Sequence, residues 1–156
     1  MTATAKPTLS VVTKSSRSEL SLSSELRPLI PEGNYHLKLL KDNTQYMFGG
    51  WKLCLRFSVI DFGEYQGTEL VRYYNLMKNS GKFEVPLNGD FMIDYFTVLP
   101  GRVRRRDRMS LDPLYDKITY AHVSTVKTNN LGKQYPESIW YSKVGKLICL
   151  KEDLIP

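Results

Sequence analysis

The stretch from Gly49 to Leu76 constrains the chain more than any other. Trp51, Leu53, Leu55, Phe57 and Val59 take alternate positions, with Lys52, Cys54, Arg56 and Ser58 between them. Side chains of a strand alternate faces, so this period predicts a strand with one apolar side and one partly cationic side. Trp51 shares the apolar parity and is expected inside. Asp61-Phe62-Gly63-Glu64-Tyr65-Gln66-Gly67 supplies turn residues. A second run then sets Leu70, Arg72 and Tyr74 against Val71, Tyr73 and Asn75. The expectation is a β-hairpin that presents Lys52, Arg56, Arg72 and Tyr74 on one exposed face. Alternation turns either Tyr73 or Tyr74 inward, so at most one of these rings joins the patch.

A chain of 156 residues suits one domain and buries a core without disulfides or metals. Cys54 and Cys149 both sit in apolar, strand-like runs and read as buried thiols of a reducing compartment. With no CxxC and only two histidines, zinc-ligand spacing is missing, and neither a metal nor a cofactor is expected. No apolar run approaches ~18 residues, and the first residues lack a signal-peptide apolar core. A cytoplasmic protein with no membrane partner is therefore expected. The net charge of +6 favours a polyanionic partner, and its distribution matters more than its size.

In chain order, residues 1–30 are Ser- and Thr-rich with sparse apolar residues, and read as a flexible leader. Pro31-Glu32-Gly33-Asn34 launches a first strand at Tyr35 to Leu40, and Asp42-Asn43-Thr44 reads as the bend that follows. After the central hairpin, Asn88 or Gly89 can cap a helix with Asp90 near its positive end. Phe91, Met92, Tyr95, Phe96, Val98 and Leu99 recur at helical spacing until Leu99-Pro100-Gly101 stops them. Lys117 to Lys127 alternates again, Asn129 to Lys133 turns, and Ile139 to Leu150 is the last strand. Residues 31–150 form the expected domain and 151–156 a short tail.

Three strands, a helix and two strands describe a mainly β domain, a five-stranded OB-fold Greek-key barrel with its helix between strands 3 and 4. An open α+β sheet or an SH3-like barrel is the structural alternative, and the helix position argues against the SH3-like one. Pro31-x-Gly33-x-Tyr35, Gly49-Gly50-x-Lys52-Leu53-x-Leu55-x-Phe57-x-Val59, Gly63-x-Tyr65-x-Gly67 and Arg72-Tyr73-Tyr74-Asn75-Leu76 carry a resemblance. Together they resemble the small OB-fold single-stranded-DNA-binding proteins of phages and mobile genetic elements, over about Pro31 to Leu99. The resemblance implies cooperative coating of single strands in replication or recombination. It carries no fixed residue list.

The strongest charge feature is Arg102 to Arg108, where Arg102, Arg104, Arg105, Arg106 and Arg108 are broken only by Val103 and Asp107. The guanidinium fork suits phosphate, and a solvated loop paired with nearby acids is the bland reading. Tyr46 and Phe48 sit where OB-folds clamp ligands, between the first two strands. Lys127, Lys133 and Lys143, with Tyr135, Trp140 and Tyr141, form a candidate opposite wall. Asp61, Glu64 and Glu69 lack the acid-x-Lys spacing of many nucleases, and no phosphate loop or nucleophile elbow occurs, so no enzyme is expected. The expected partner is single-stranded DNA, with RNA left open, together with replication or recombination proteins and a second copy of the chain. The competing reading is a scaffold module whose basic loop meets an acidic protein.

Overall fold

The computed structural model describes residues 27–101 and 109–153. Its strands are β1 (Gly33–Met47), β2 (Gly50–Val59), β3 (Glu69–Asn79), β4 (Lys82–Glu84), β5 (Ile118–Val126) and β6 (Tyr141–Leu150). Two helices, α1 (Asp90–Val98) and α2 (Asp112–Asp116), lie between β4 and β5. All six strands belong to one antiparallel sheet in the order β4-β3-β2-β1-β5-β6. The domain is therefore mainly β, with six strands where five were expected. The addition is β4, three residues folded back on β3 through Ser80-Gly81, whose φ values of 51° and 79° suit a tight hairpin turn.

β1 organises the sheet because it pairs on both sides. Gly33 to Lys38 pair with β5, and Leu37 to Met47 pair with β2. Between Leu39 and Lys41 the register slips, leaving exposed Leu40 as an extra residue. Such a bulge bends and twists its strand, and the sheet curls until its members β3 and β6 lie in contact.

The bend expected at Asp42-Asn43-Thr44 is not there. Those residues continue β1, and the chain turns at Phe48-Gly49 instead. They are polar because this part of β1 is exposed. The composition that reads as a turn is that of a strand running beyond the core. Trp51 is corrected for the same reason. It keeps the parity of Leu53 and Leu55 but lies past the interior, half-buried against Tyr46 and Phe83 with ring centroids 5.4 and 4.9 Å away. The domain also starts before residue 31. Ile30 is buried, its N–H donates to Ser142 Oγ at 2.8 Å, and Ser142 N–H donates to the Pro28 carbonyl at 2.7 Å. The rest of the expected leader, residues 1–26, and the tail from residue 154 lie outside the described residues.

Leu37, Leu39, Leu55, Phe57, Val59 and Leu70 meet Ala121, Val123, Val144 and Leu147 in the core. Against them α1 sets Phe91, Tyr95 and Val98, followed by Leu99. Full burial of such a side chain contributes about 1.5–3 kcal/mol. The helix spans the seam, touching both β3 and β6. It brings one buried polar group with it. Asp94, 4% exposed, accepts from the Tyr74 hydroxyl at 2.7 Å and from Arg72 Nε at 3.2 Å. Arg72 also lies over the Tyr74 ring, 4.6 Å from its centroid. Among the described residues no helix is long and apolar enough to cross a membrane.

Asp94→Ala leaves the Tyr74 hydroxyl and the inner side of Arg72 without a partner in a dry site. The predicted loss is about 3–5 kcal/mol of unfolding free energy, measured by urea denaturation. A loss under about 1 kcal/mol would equate the network with a surface pair.

A second prediction concerns alkaline pH. Burial, then the Asp94 carboxylate, pushes the Tyr74 hydroxyl up from the ordinary tyrosine value. Burial and a hydrogen bond to Asp42 push Tyr115 up to about 12. Folded protein thus holds protons that unfolded tyrosines lose near pH ~10. The stability they contribute is whole below that pH and is lost as pH rises through the folded values. Melting temperature is expected to stay level to about pH 10 and then fall, less steeply in Tyr115→Phe. An identical alkaline slope in that variant would remove Tyr115 from the account.

Candidate nucleic-acid interface

A groove of about 580 Å³ runs along the seam between β3 and β6. One wall is Lys52 of β2 with Arg72, Tyr73 and Asn75 of β3, and Phe48 from the β1–β2 turn stands at its end. The other wall is Thr125 and Val126 of β5, residues Lys127 to Asn130 and Tyr135 of the β5–β6 loop, and Tyr141 and Lys143 of β6. Arg27 and Asp90 complete it. Among the described residues, five cationic side chains and one carboxylate line the groove, with four aromatic rings among them.

Each wall has a local cause. Lys52 and Tyr73 share a face because Lys52 pairs with Asn75 and Cys54 with Tyr73 across the β2–β3 ladder. Lys52 donates to the Asn75 side-chain carbonyl, which holds the ammonium at the wall. Phe48 adopts φ 52° and Gly49 φ 77°, the left-handed pair of a two-residue hairpin turn. Asn or Gly is usual at the first of these positions; a bulky aromatic is strained there. The Phe48 ring is 58% exposed and meets Tyr73 edge to face, with centroids 6.3 Å apart.

The β5–β6 loop is stapled rather than loose. Asn129 Oδ1 accepts from the N–H groups of Leu131 and Lys133, both at 2.9 Å. Tyr135 N–H donates to the Lys127 carbonyl at 2.7 Å, and Trp140 Nε1 donates to the Tyr135 carbonyl at 3.0 Å. Lys127 Nζ lies 4.8 Å from the Trp140 ring centroid. Across the loop base, the Arg27 guanidinium covers Tyr141 at 4.3 Å.

The structure brings Phe48, Lys52, Arg72, Lys127 and Lys143 together as expected candidates in one groove. It separates others. Tyr74 is corrected from exposed stacker to core residue, 2% exposed and bonded to Asp94, because it lies opposite Leu53 on the interior face. Arg72 lies opposite Leu55 on that same face, so it does not share the outer side of Lys52 and Arg56. It reaches the groove end with its charge offset by Asp94 at 3.2 Å and Asp90 at 3.8 Å. Arg56 keeps the outward parity but pairs with Glu69 at 3.6 Å, outside the groove lining. Tyr46 is exposed on the opposite side of the hairpin, edge-on to Trp51. Lys133 is exposed at the loop tip and does not line the groove.

Arg102, Arg104, Arg105, Arg106 and Arg108 lie outside the described residues. Gly101, the residue before them, follows the C-terminal end of α1, and the groove-lining Asp90 begins that helix. Among the nuclease-like acids, Asp61 accepts from the His36 backbone N–H at 2.7 Å and pairs with its ring at 2.7 Å, and Glu69 holds Arg56. No group of three or more candidate metal ligands occurs among the described residues.

Arg27, Tyr73 and Asn75 are groove residues that the sequence reading did not select. Arg27 fell in the presumed leader. For Tyr73 a signal existed: Leu70 has the parity of Tyr74, which points Tyr74 inward. Val71, also apolar and also buried, obscured it.

Comparison with protein-family models, with curated proteins and with solved structures returns no match.

The turn at Phe48 yields a prediction. Phe48→Asn is expected to raise unfolding free energy by about 1 kcal/mol by relieving the left-handed strain. Destabilisation in denaturant melts would show that the Phe48–Tyr73 contact outweighs that strain.

Proposed function

We propose that the chain binds single-stranded nucleic acid, DNA in the first instance, along the β3–β6 groove, with little sequence preference and without catalysis. The observation that carries this reading is the convergence, among the described residues, of five cations and four rings on one open channel with one carboxylate. Single-strand binders combine a positively charged groove with rings on which bases stack, each stacked base contributing about 1–3 kcal/mol. Lys52, Lys127 and Lys143 are suited to phosphates, and Phe48, Tyr73 and Tyr135 to bases. Arg72, already held by two acids, positions the wall more than it neutralises phosphate.

The topology supports an OB-type barrel as the scaffold. With β4 set aside, the order β3-β2-β1-β5-β6, with β3 and β6 in contact and a helix across the seam, follows the five-stranded Greek-key circuit. Folds of that type bind oligonucleotides on the second and third strands and on the loops equivalent to Phe48-Gly49 and Lys127 to Trp140. The groove is built from those parts. Coating of single strands during replication or recombination of a phage or mobile element is the role in keeping with the motif resemblance. It brings replication or recombination proteins and further copies of the chain as candidate partners.

Fluorescence anisotropy with labelled single-stranded DNA, duplex and RNA tests the reading. Single-stranded DNA is expected to bind more tightly than duplex. Replacing Lys52, Lys127 and Lys143 with Ala is expected to weaken it at least about tenfold and flatten the log–log salt slope by about 2, at about 0.7 per lost phosphate contact. A companion variant with Arg104, Arg105 and Arg106 changed to Ala reads the arginine run separately, an unchanged slope removing it from the site. Absence of binding to all three nucleic acids, with binding to an acidic polypeptide instead, would replace this reading by the scaffold one.

A further inference from the structure

The β1–β2 and β3–β4 hairpins project past the core as a four-stranded arm, and both of its sides carry rings. The groove side has Phe48 and Tyr73. The reverse side has a row of three. Tyr46 stands edge-on to Trp51 at 81°, and Trp51 meets Phe83 at 63°. Lys78 Nζ lies 4.9 Å from the Trp51 centroid and 5.4 Å from that of Phe83. Lys78 covers one face of Trp51 and of Phe83, while Tyr46 and Phe83 remain 62% and 39% exposed. A row this exposed adds little to the core and needs another reason.

We infer that the reverse side of the arm is a second stacking site for bases of the same nucleic acid strand, which passes from the groove around the Phe48-Gly49 tip. This rests on the groove reading and extends it. Three observations favour a base over a protein side chain. Tyr46 and Phe48 are two residues apart across a tight turn, so the two ring sets meet at the tip. Lys78 sits among the rings, and no described carboxylate forms an ion pair with it, so its charge is available to a phosphate beside a stacked base. The nearest acid on the facing strand, Glu84, is held by the Asn79 side chain at 2.8 Å.

The chain has two tryptophans, Trp51 on this row and Trp140 in the β5–β6 loop, so Trp140→Phe leaves Trp51 as sole reporter. That protein is titrated with two oligothymidylates, one short enough to occupy the groove alone and one about three times longer. The longer strand is expected to quench Trp51 and the shorter to leave it unchanged. Adding Tyr46→Ala, Lys78→Ala and Phe83→Ala is expected to weaken the longer strand about tenfold or more and the shorter less than about twofold. Binding of both strands with silent Trp51 and no effect of the three changes overturns this inference and leaves the groove reading standing. No binding of either strand by the unaltered protein in fluorescence anisotropy overturns both. A change of sedimentation from dimer to monomer in the triple variant, with oligonucleotide binding intact, assigns the row to a second copy of the chain and likewise overturns it. Circular dichroism melts keep unfolding of the variants separate from all of these outcomes.

Discussion

The contact of Asp94 with Arg72 and Tyr74 is the interaction on which the rest depends. Burying a carboxylate is expensive unless it is paired and hydrogen-bonded. Asp94 is both, through one guanidinium N–H and one phenol, and its two partners come from β3. The network therefore fixes the register of α1 on β3 more tightly than apolar packing alone, since Phe91, Tyr95 and Val98 tolerate small slides and a two-donor carboxylate does not. Once α1 is placed, it spans the seam and touches β6. The two sides of the curled sheet are then held at a set separation, and the groove between them acquires walls. Asp90, one turn before Asp94, and Arg72 also line that groove, so the network that closes the domain forms the end of the channel.

The groove illustrates how a scaffold and a site divide the work. Apart from Arg27, its cations and rings are on strand positions, a two-residue turn and a hydrogen-bonded loop. A ligand of the proposed kind would meet a groove that needs little ordering, which would keep more of each contact as net affinity. Phe48 shows the cost of such placement. A bulky residue in left-handed conformation is tolerated at the tip, where its ring projects towards the channel. Strain of this kind concentrates where a side chain must be presented. The same arm carries Lys78 and its rings on the reverse side, so the ring-rich surface is larger than the groove.

Much of the domain was legible in the residues. The period-two runs mark β2, β3, β5 and β6, and the helical stripe ending at Leu99-Pro100-Gly101 marks α1. Those signals are strong because burial of one face enforces alternation. Where neither face is buried, the signal fails. Asp42-Asn43-Thr44 has the polarity of a turn and the backbone of a strand. Trp51 has core parity and lies beyond the core. The three residues of β4 are too few to carry any period.

The chain alone determined that the domain is mainly β and that β2 has an apolar side and a cationic side carrying Lys52, because these follow from neighbours two residues apart. Only the tertiary structure decided which cations share a groove. That Tyr74 goes inward while Tyr73 goes outward is decided by cross-strand register with β2, since Leu70 and Val71, both apolar and both buried, leave the local pattern ambiguous. That Arg72 is held by α1, and Arg56 by Glu69, rests on contacts between separate elements. The stretch from Gly49 to Leu76 thus carries one wall of the site and the strained turn at its end. The opposite wall comes from Thr125 and residues after it, well beyond that stretch, and curling of the sheet about the bulge in β1 is what brings the two together.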